Sequence, residues 1–225
     1  MNKTGTTEEA VANALKLAIH EHRLSPGTKL GEDELAKIYG VSRTVVRSAL
    51  HSLVHAQLVE THRNRGAFVA QPSVIEAREV FEARELLESR TARSAAKRAK
   101  LADVDLLKRH IEDEHEAMNA GDQGRALNLS GIFHIEIARI ADHETIGRFI
   151  EMLIARSSLI IALYWRRESA LCESYAHHEL VNSIADGDEQ QAEELMRSHL
   201  VDLHSSLDLK DRQPPTRSLR DALTK

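Results

Sequence analysis

The chain has 225 residues and a formal charge of −5; 42 % of it is apolar, only 4 % is aromatic, and it holds just 10 glycines and 4 prolines. That length suits one large or two modest domains, and the composition favours helices over sheet. A single cysteine, Cys172, excludes an intramolecular disulfide and a cysteine-based zinc knuckle; no apolar run reaches the roughly 18 residues that span a bilayer, and MNKTGTTEEA lacks a signal-peptide core, so a soluble cytoplasmic protein is expected.

The mean charge hides two unlike parts. Up to Pro72, about nine Lys and Arg stand against about seven Asp and Glu, whereas the remainder carries about seven more acids than bases. A mildly basic front joined to an acidic back implies separate partners for the two.

In TEEAVANALKLAIHEHRL, residues Val11, Leu15, Ala18 and Ile19 recur at helical spacing, and SPG at 25–27 turns the chain. GEDELAKIYG predicts a second short helix through Leu35, Ala36 and Ile38, with Gly40 supplying a sharp exit. Ser42 caps a third helix in which Val46, Ala49, Leu50 and Leu53 form the inward stripe, leaving Arg43, Thr44 and Arg47 outward near its start. An arginine pair at i,i+4 is by itself what any solvated helix shows. Here it follows a short helix and a Gly-containing turn, the helix-turn-helix arrangement whose second helix enters the DNA major groove. The planar fork of arginine donates two bonds to guanine O6 and N7, or clamps a phosphate. LVETH at 58–62 and AFVA at 67–70 then read as two strands around RNRG, a wing with Arg63 and Arg65 at its tip, suited to phosphate or the minor groove.

These residues, LSPGTKLGEDELAKIYGVSRTVVRSALHSLVHAQLVETHRNRGAFVA, resemble the winged helix-turn-helix of GntR-type bacterial transcription regulators. The resemblance implies that Arg43, Thr44 and Arg47 read a short palindrome from two protomers, and that Gly66 lets the wing approach the minor groove. Several relatives carry a basic residue on the second helix where Asp33 stands here, so a phosphate contact from that position is not expected.

Pro72 ends the second wing strand, and Ser73 with Glu76 has the signature of a capping box that opens a long helix through about Ala99. This divides the chain into 1–72 and 73–207 with no Gly/Ser-rich linker, so the front unit is expected to swing on a short hinge. Further helices are expected at roughly 102–120, 123–141, 144–165, 170–186 and 189–207, without strand signals. The tail at 208–225, with two prolines and scattered charges, reads as disordered. The fold class is mostly α: an N-terminal winged helix-turn-helix and a C-terminal all-helical antiparallel bundle.

Of 13 histidines, three sit on apolar stripes of different helices: His134 with Ile137, Ala138 and Ala141; His177 with Leu180, Val181 and Ile184; His199 with Leu195, Met196 and Leu203. Each alone is ordinarily a core residue bonded to backbone. Burying three of them unpaired is costly, and a shared ion taking one neutral nitrogen from each relieves that cost. Three histidines with an open position suit Zn²⁺, with Ni²⁺ as the alternative. His178 marks the rival register.

From about Val74 to Leu207 the chain resembles the all-helical FCD effector domain of the FadR-like branch, on the matches FHIEIARIADHETI, YAHHELVNSIADGD and MRSHL. The resemblance implies a six- or seven-helix bundle in which an Asp-x-x-x-His helix motif and two later histidines coordinate a divalent metal. Ser130 stands where the family has the aspartate, so a charged ligand is missing and water or an effector carboxylate is expected to complete the coordination. By the same resemblance Arg84 in FEARELLE faces the cavity and holds a small carboxylate through its fork, against the alternative of an exposed i,i+4 salt bridge with Glu88.

The function implied is a metabolite-responsive regulator, with repression relieved by its ligand as the expected outcome and activation, which uses the same physics, as the alternative. It binds palindromic operator DNA as a homodimer and takes a small organic acid as effector. The dimer contact is expected on the first and fourth helices of the back domain, with Ile150, Leu153 and Ile154. The alternative is a metal-dependent hydrolase built on the three histidines. No enzyme is expected, because Glu136 points away from that face and neither H-E-x-x-H nor a nucleophile elbow is present. The acyl-CoA-binding branch of these regulators lacks the histidine set, and its retention here argues against that branch.

Overall fold

Several helices begin where a side-chain oxygen takes up an orphan N–H. In the computed structural model, which describes residues 7–165, 171–209 and 223, the Thr7, Ser42, Asp122 and Asp188 side chains accept from Ala10, Val45, Arg125 and Gln191 N at 3.0–3.3 Å. They open α1 (Glu8–His20), α3 (Arg43–His55), α6 (Gln123–Ile140) and α9 (Glu189–Ser205). Between α1 and α3 lie β1 (Lys29–Leu30) and α2 (Glu32–Tyr39), which Gly40 ends at φ +65°, a left-handed value that costs glycine nothing.

The wing pairs β2 (Val59–His62) with β3 (Gly66–Val69) antiparallel, from Val59 opposite Val69 to His62 opposite Gly66. The short β1, which sequence periodicity does not reveal, adds to the far side of β3 and gives the order β1-β3-β2. Val11, Leu15, Ile19, Leu35, Val46, Leu50 and Leu53 close the core beneath it.

The remaining helices are α4 (Val74–Arg98), α5 (Leu101–Asn119), α7 (Glu144–Tyr164) and α8 (Leu171–Ala185). Within the bundle α4 lies against α6, α7, α8 and α9, and Phe81, Leu107, Ile111, Phe133, Ile137, Ile160 and Met196 fill the space between the helices. Full burial of each such side chain is worth about 1.5–3 kcal/mol. Ser73 caps α4, its hydroxyl accepting from Glu76 N at 3.2 Å, but the other half of the expected capping box is absent: the Glu76 carboxylate pairs with Arg156 of α7. Trp165 and Leu207 form an isolated antiparallel bridge in a region read as free of strand. Most of the tail expected to be disordered, and the start of the helix expected from 170, lie outside the described residues.

The two domains are docked against each other in this structure. Ala155 and Leu159 of α7 are buried in the core of the winged unit. His22 Nε2 lies 3.0 Å from the Ser158 carbonyl, Arg156 donates to the Gln57 carbonyl at 2.6 Å, and the Tyr164 hydroxyl donates to the Pro72 carbonyl at 3.0 Å. Ile150 and Ile154, expected at a dimer contact, instead lie in a small core with Ala138 of α6, at 0 % and 6 % exposure. The large apolar side chains that α4 and α7 do leave exposed are Ile75, Leu86, Phe149 and Met152.

Candidate DNA-reading face and three-histidine centre

Arg43 and Arg47 stand on the first turns of α3 with 59 % and 66 % of their side chains exposed, and Thr44 lies exposed between them. Both guanidinium groups are anchored on α2. Arg47 donates from Nε and Nη2 to the two Glu32 oxygens at 3.0 and 2.7 Å, while Arg43 reaches Glu32 at 3.5 Å and Asp33 at 3.2 Å. The hydrogen bond from Arg47 holds the Glu32 carboxyl below its usual range against the opposing effect of desolvation. Glu32 and Asp33 also sit in the first turn of α2, where the helix dipole favours acids. Asp33, for which no phosphate contact was expected, thus has a partner of its own.

At the wing, Arg63 and Arg65 are exposed at the tip, and the Arg65 guanidinium lies over the Phe68 ring at 5.5 Å. Gly66 has φ +95°, a conformation that L side chains rarely adopt, and a Cβ there would meet only Lys29 Cε, at 4.0 Å.

The three stripe histidines converge. His134 from α6, His177 from α8 and His199 from α9 are buried, with ligand nitrogens within 4.8 Å of one another. Nε2 of His199 lies 3.3 Å from Nε2 of both His177 and His134. His178, the rival register, is exposed. Phe133 closes one side, its ring 4.4 Å from that of His177.

Two buried carboxylates fix these rings from behind. Glu114 of α5 accepts from His177 Nδ1 at 3.1 Å, and Glu88 of α4 approaches His134 Nδ1 at 2.6 Å, a close charge contact rather than a well-aligned hydrogen bond. A carboxylate facing Nδ1 keeps the proton there and turns the Nε2 lone pair outward. Burial is the main cause lowering the pKa of His134, opposed by Glu88; burial, then His177 and His134, hold His199 well below its ordinary value. The three rings therefore aim Nε2 at one point, and with the protons of His134 and His177 held at Nδ1 at most one hydrogen is available between them.

A cation suits that point. Nitrogens bound to one tetrahedral ion at about 2.0–2.1 Å lie roughly 3.4 Å apart, close to the two 3.3 Å separations here. The donor set is all imidazole, since the carboxylates are turned to the far nitrogens.

Beside the centre lies a cavity of about 360 Å³ lined by His134, Arg84, Ser130 and Ser157 among others, while His177 and His199 lie outside its lining. Arg84 lines the cavity and also makes the salt bridge set against that place on the sequence. It pairs with Glu88 at 2.6 Å, yet the pair is buried rather than exposed, and its Nη1 donates to Ser157 Oγ at 3.1 Å. Because Glu88 already engages its Nε and Nη2, the fork is not free to grip a second carboxylate on that edge. Burial pushes the Glu88 carboxyl up, but the Arg84 guanidinium first, and then the His134 ring facing it, outweigh this and hold it down to about 2.

Similarity to known proteins agrees with this geometry. The profile of the family described as "FCD domain" matches residues 79–202, and that of "Bacterial regulatory proteins, gntR family" matches residues 7–69. The chain belongs to the GntR-type regulators with an FCD domain. It is 26 % identical to the Nta operon transcriptional regulator of Aminobacter aminovorans over 82 % of this chain and 86 % of that protein. It is 24 % identical to the HTH-type transcriptional repressor RspR of Escherichia coli K12 over 92 % and 91 %. In fold it is similar to E. coli McbR/YncC, with a TM-score of 0.79 at 20 % identity, covering 88 % of this chain and 95 % of that one. The chain is thus a transcriptional regulator and not an enzyme, which removes the hydrolase alternative. Among the described residues no helix is long and apolar enough to cross a membrane.

Within the FCD domain, sequence reading missed Glu88 and Glu114 as partners of the histidines. Glu88 is visible as the i,i+4 neighbour of Arg84, and Glu114 shares the stripe of Leu107 and Ile111 on α5. An acid on an apolar stripe is the signal for each. In the GntR-type domain, Glu32 was missed because acids in a first helical turn are commonplace.

Proposed function

We propose that this regulator binds palindromic operator DNA as a dimer and that a small organic acid, entering the cavity beside the three histidines, controls the binding. The observation that carries the reading is the pair Arg43 and Arg47, exposed on the first turns of α3 and held side by side by Glu32. From there Arg43, Thr44 and Arg47 read base edges in the major groove, while Arg63 and Arg65, with Gly66 shaping the strand start, meet phosphate or the minor groove. Two copies joined through α4 and α7, which expose Leu86, Phe149 and Met152, present two such helices to the two half-sites.

In the FCD domain, His134, His177 and His199 hold a divalent metal, Zn²⁺ or Ni²⁺, through Nε2. When bound, it supplies a Lewis-acidic position for an oxygen of the effector. Ser130, Arg84 and Ser157 line the cavity wall around the acid, and Glu88 holds Arg84 in place. The residue count of the donor set supports this: three neutral nitrogens and no direct carboxylate leave the charge of the ion for an anionic ligand to neutralise.

The test is anisotropy of labelled palindromic DNA at several salt concentrations, with sedimentation of the free protein. The expected result is a dimer whose log affinity falls steeply with log salt. A monomer with salt-independent DNA binding overturns the reading.

A further inference from the structure

The cavity is not a property of the FCD domain alone. Its lining includes Asn13, Lys16, Leu17 and His20 of α1, and His22 just beyond, facing Asn128 and Ser130 of α6 and Glu151 of α7. Helix α1 belongs to the DNA-binding unit, where Val11, Leu15 and Ile19 bury its other face. The contact is well built. The Ser158 hydroxyl reaches the His20 carbonyl at 3.4 Å, His22 approaches the Ser158 carbonyl, and Gly124 leaves space for the backbone of Glu21.

The polar groups fall at two ends. At the inner end are His134 and Ser157, with Arg84 already neutralised by Glu88. At the outer end Lys16 is exposed, has no ion-pair partner among the described residues, and stands one helical turn after Asn13. Glu151 of α7 also lines the cavity and can accept from a hydroxyl. A volume of about 360 Å³ is at the small end of ligand cavities, which limits the occupant to a small metabolite.

We propose that the cavity is a site shared by both domains, in which Lys16 and Asn13 of α1 bind the outer carboxylate of a short dicarboxylate whose inner carboxylate lies towards His134 and Ser130. The proposal rests on the acid-effector reading above and deepens it. Contacts to α1 exist only while the DNA-binding unit is docked on α6 and α7. A ligand that uses them has a differential affinity for the docked arrangement, which is all that a shift of conformational population requires. No relay through the bundle is then needed between cavity and DNA-binding unit.

The test uses the full chain with Zn²⁺ added. Calorimetry compares succinate, malate and glutarate with the matched monoacids butyrate, 2-hydroxybutyrate and valerate, on the wild type and on Lys16→Met. Lys16 is exposed, so the variant keeps its core. The expected result is that at least one diacid binds roughly tenfold more tightly than its monoacid, that Lys16→Met erases this advantage, and that monoacid affinity is unchanged. The same diacid slows hydrogen exchange in α1, and its monoacid does not. If acids bind but the diacid advantage is missing, or survives in Lys16→Met, the shared site is overturned and the acid-effector reading stands. If no acid binds either protein, the acid-effector reading is overturned and the shared site with it.

Discussion

Gly124, at the start of α6, lies against the carbonyl oxygen of Glu21 just past the end of α1, and a Cβ at Gly124 would overlap that oxygen. The two domains therefore meet backbone to backbone, and glycine is needed for the approach rather than for a turn. Overpacking of this kind costs typically about 1–3 kcal/mol. Gly124→Ala is expected to loosen the docking, seen as faster hydrogen exchange in α1 and a larger radius of gyration by small-angle scattering. Unchanged exchange in α1 would mean that the helices separate without cost.

His20, at the same junction, is lowered from 6.5 to about 4 by burial first, and then by the nearby charges of Lys16 and His22. His22 is lowered by burial as well. The folded state thus refuses a proton that the unfolded chain accepts. Stability is full above pH 6.5, falls as the pH drops towards 4, and levels off below that. For His20 alone the loss is on the order of 3 kcal/mol. Urea titrations at stepped pH are expected to show this slope, and His20→Gln is expected to flatten it. A slope identical in the variant assigns the effect elsewhere.

On the DNA-reading face, Arg43→Ala and Arg47→Ala are each expected to weaken operator binding by about 1–3 kcal/mol, roughly ten- to a hundredfold, with little change in stability because the arginines are exposed. Glu32→Gln removes the charge that holds both guanidinium groups. It is expected to leave the fold intact and to reduce discrimination between operator and unrelated DNA. Competition anisotropy reads both effects, and full operator retention in the double arginine variant would contradict the assignment of this face.

Behind the histidines, Glu114→Gln is expected to weaken zinc binding about 10–100-fold, because the carboxylate that orients His177 is lost. Glu88→Ala leaves Arg84 buried and unpaired and is expected to cost about 3–5 kcal/mol of stability. Zinc titration against a chelating dye measures the first, and chemical denaturation the second. Equal zinc affinity in Glu114→Gln would show that the ring is held by its packing against Phe133 alone.

Much of the architecture is legible along the chain because local signals agree. Ser42 caps α3 and its stripe Val46, Ala49, Leu50 and Leu53 is buried, while the stripes of α6, α8 and α9 bring His134, His177 and His199 together. What escapes is what depends on distant partners. Residues Lys29–Leu30 are too few to show an alternation, and only β3 makes them a strand. The pair Arg84 and Glu88 has the spacing of a surface salt bridge, and its burial is decided by α6 and α7 packed over α4. Glu76 completes a capping signature, but Arg156, far along the chain, takes its carboxylate. Ile150 and Ile154 read as a free apolar stripe until Ala138 covers them.

Helix α7 belongs to two cores at once: Ala155 and Leu159 seal the winged unit, and Ile160 and Tyr164 belong to the bundle. A gene cut after the codon for Pro72 would therefore uncover greasy surface on both products. Either fragment, produced separately, is prone to clump, and the regulator is best handled as one indivisible polypeptide.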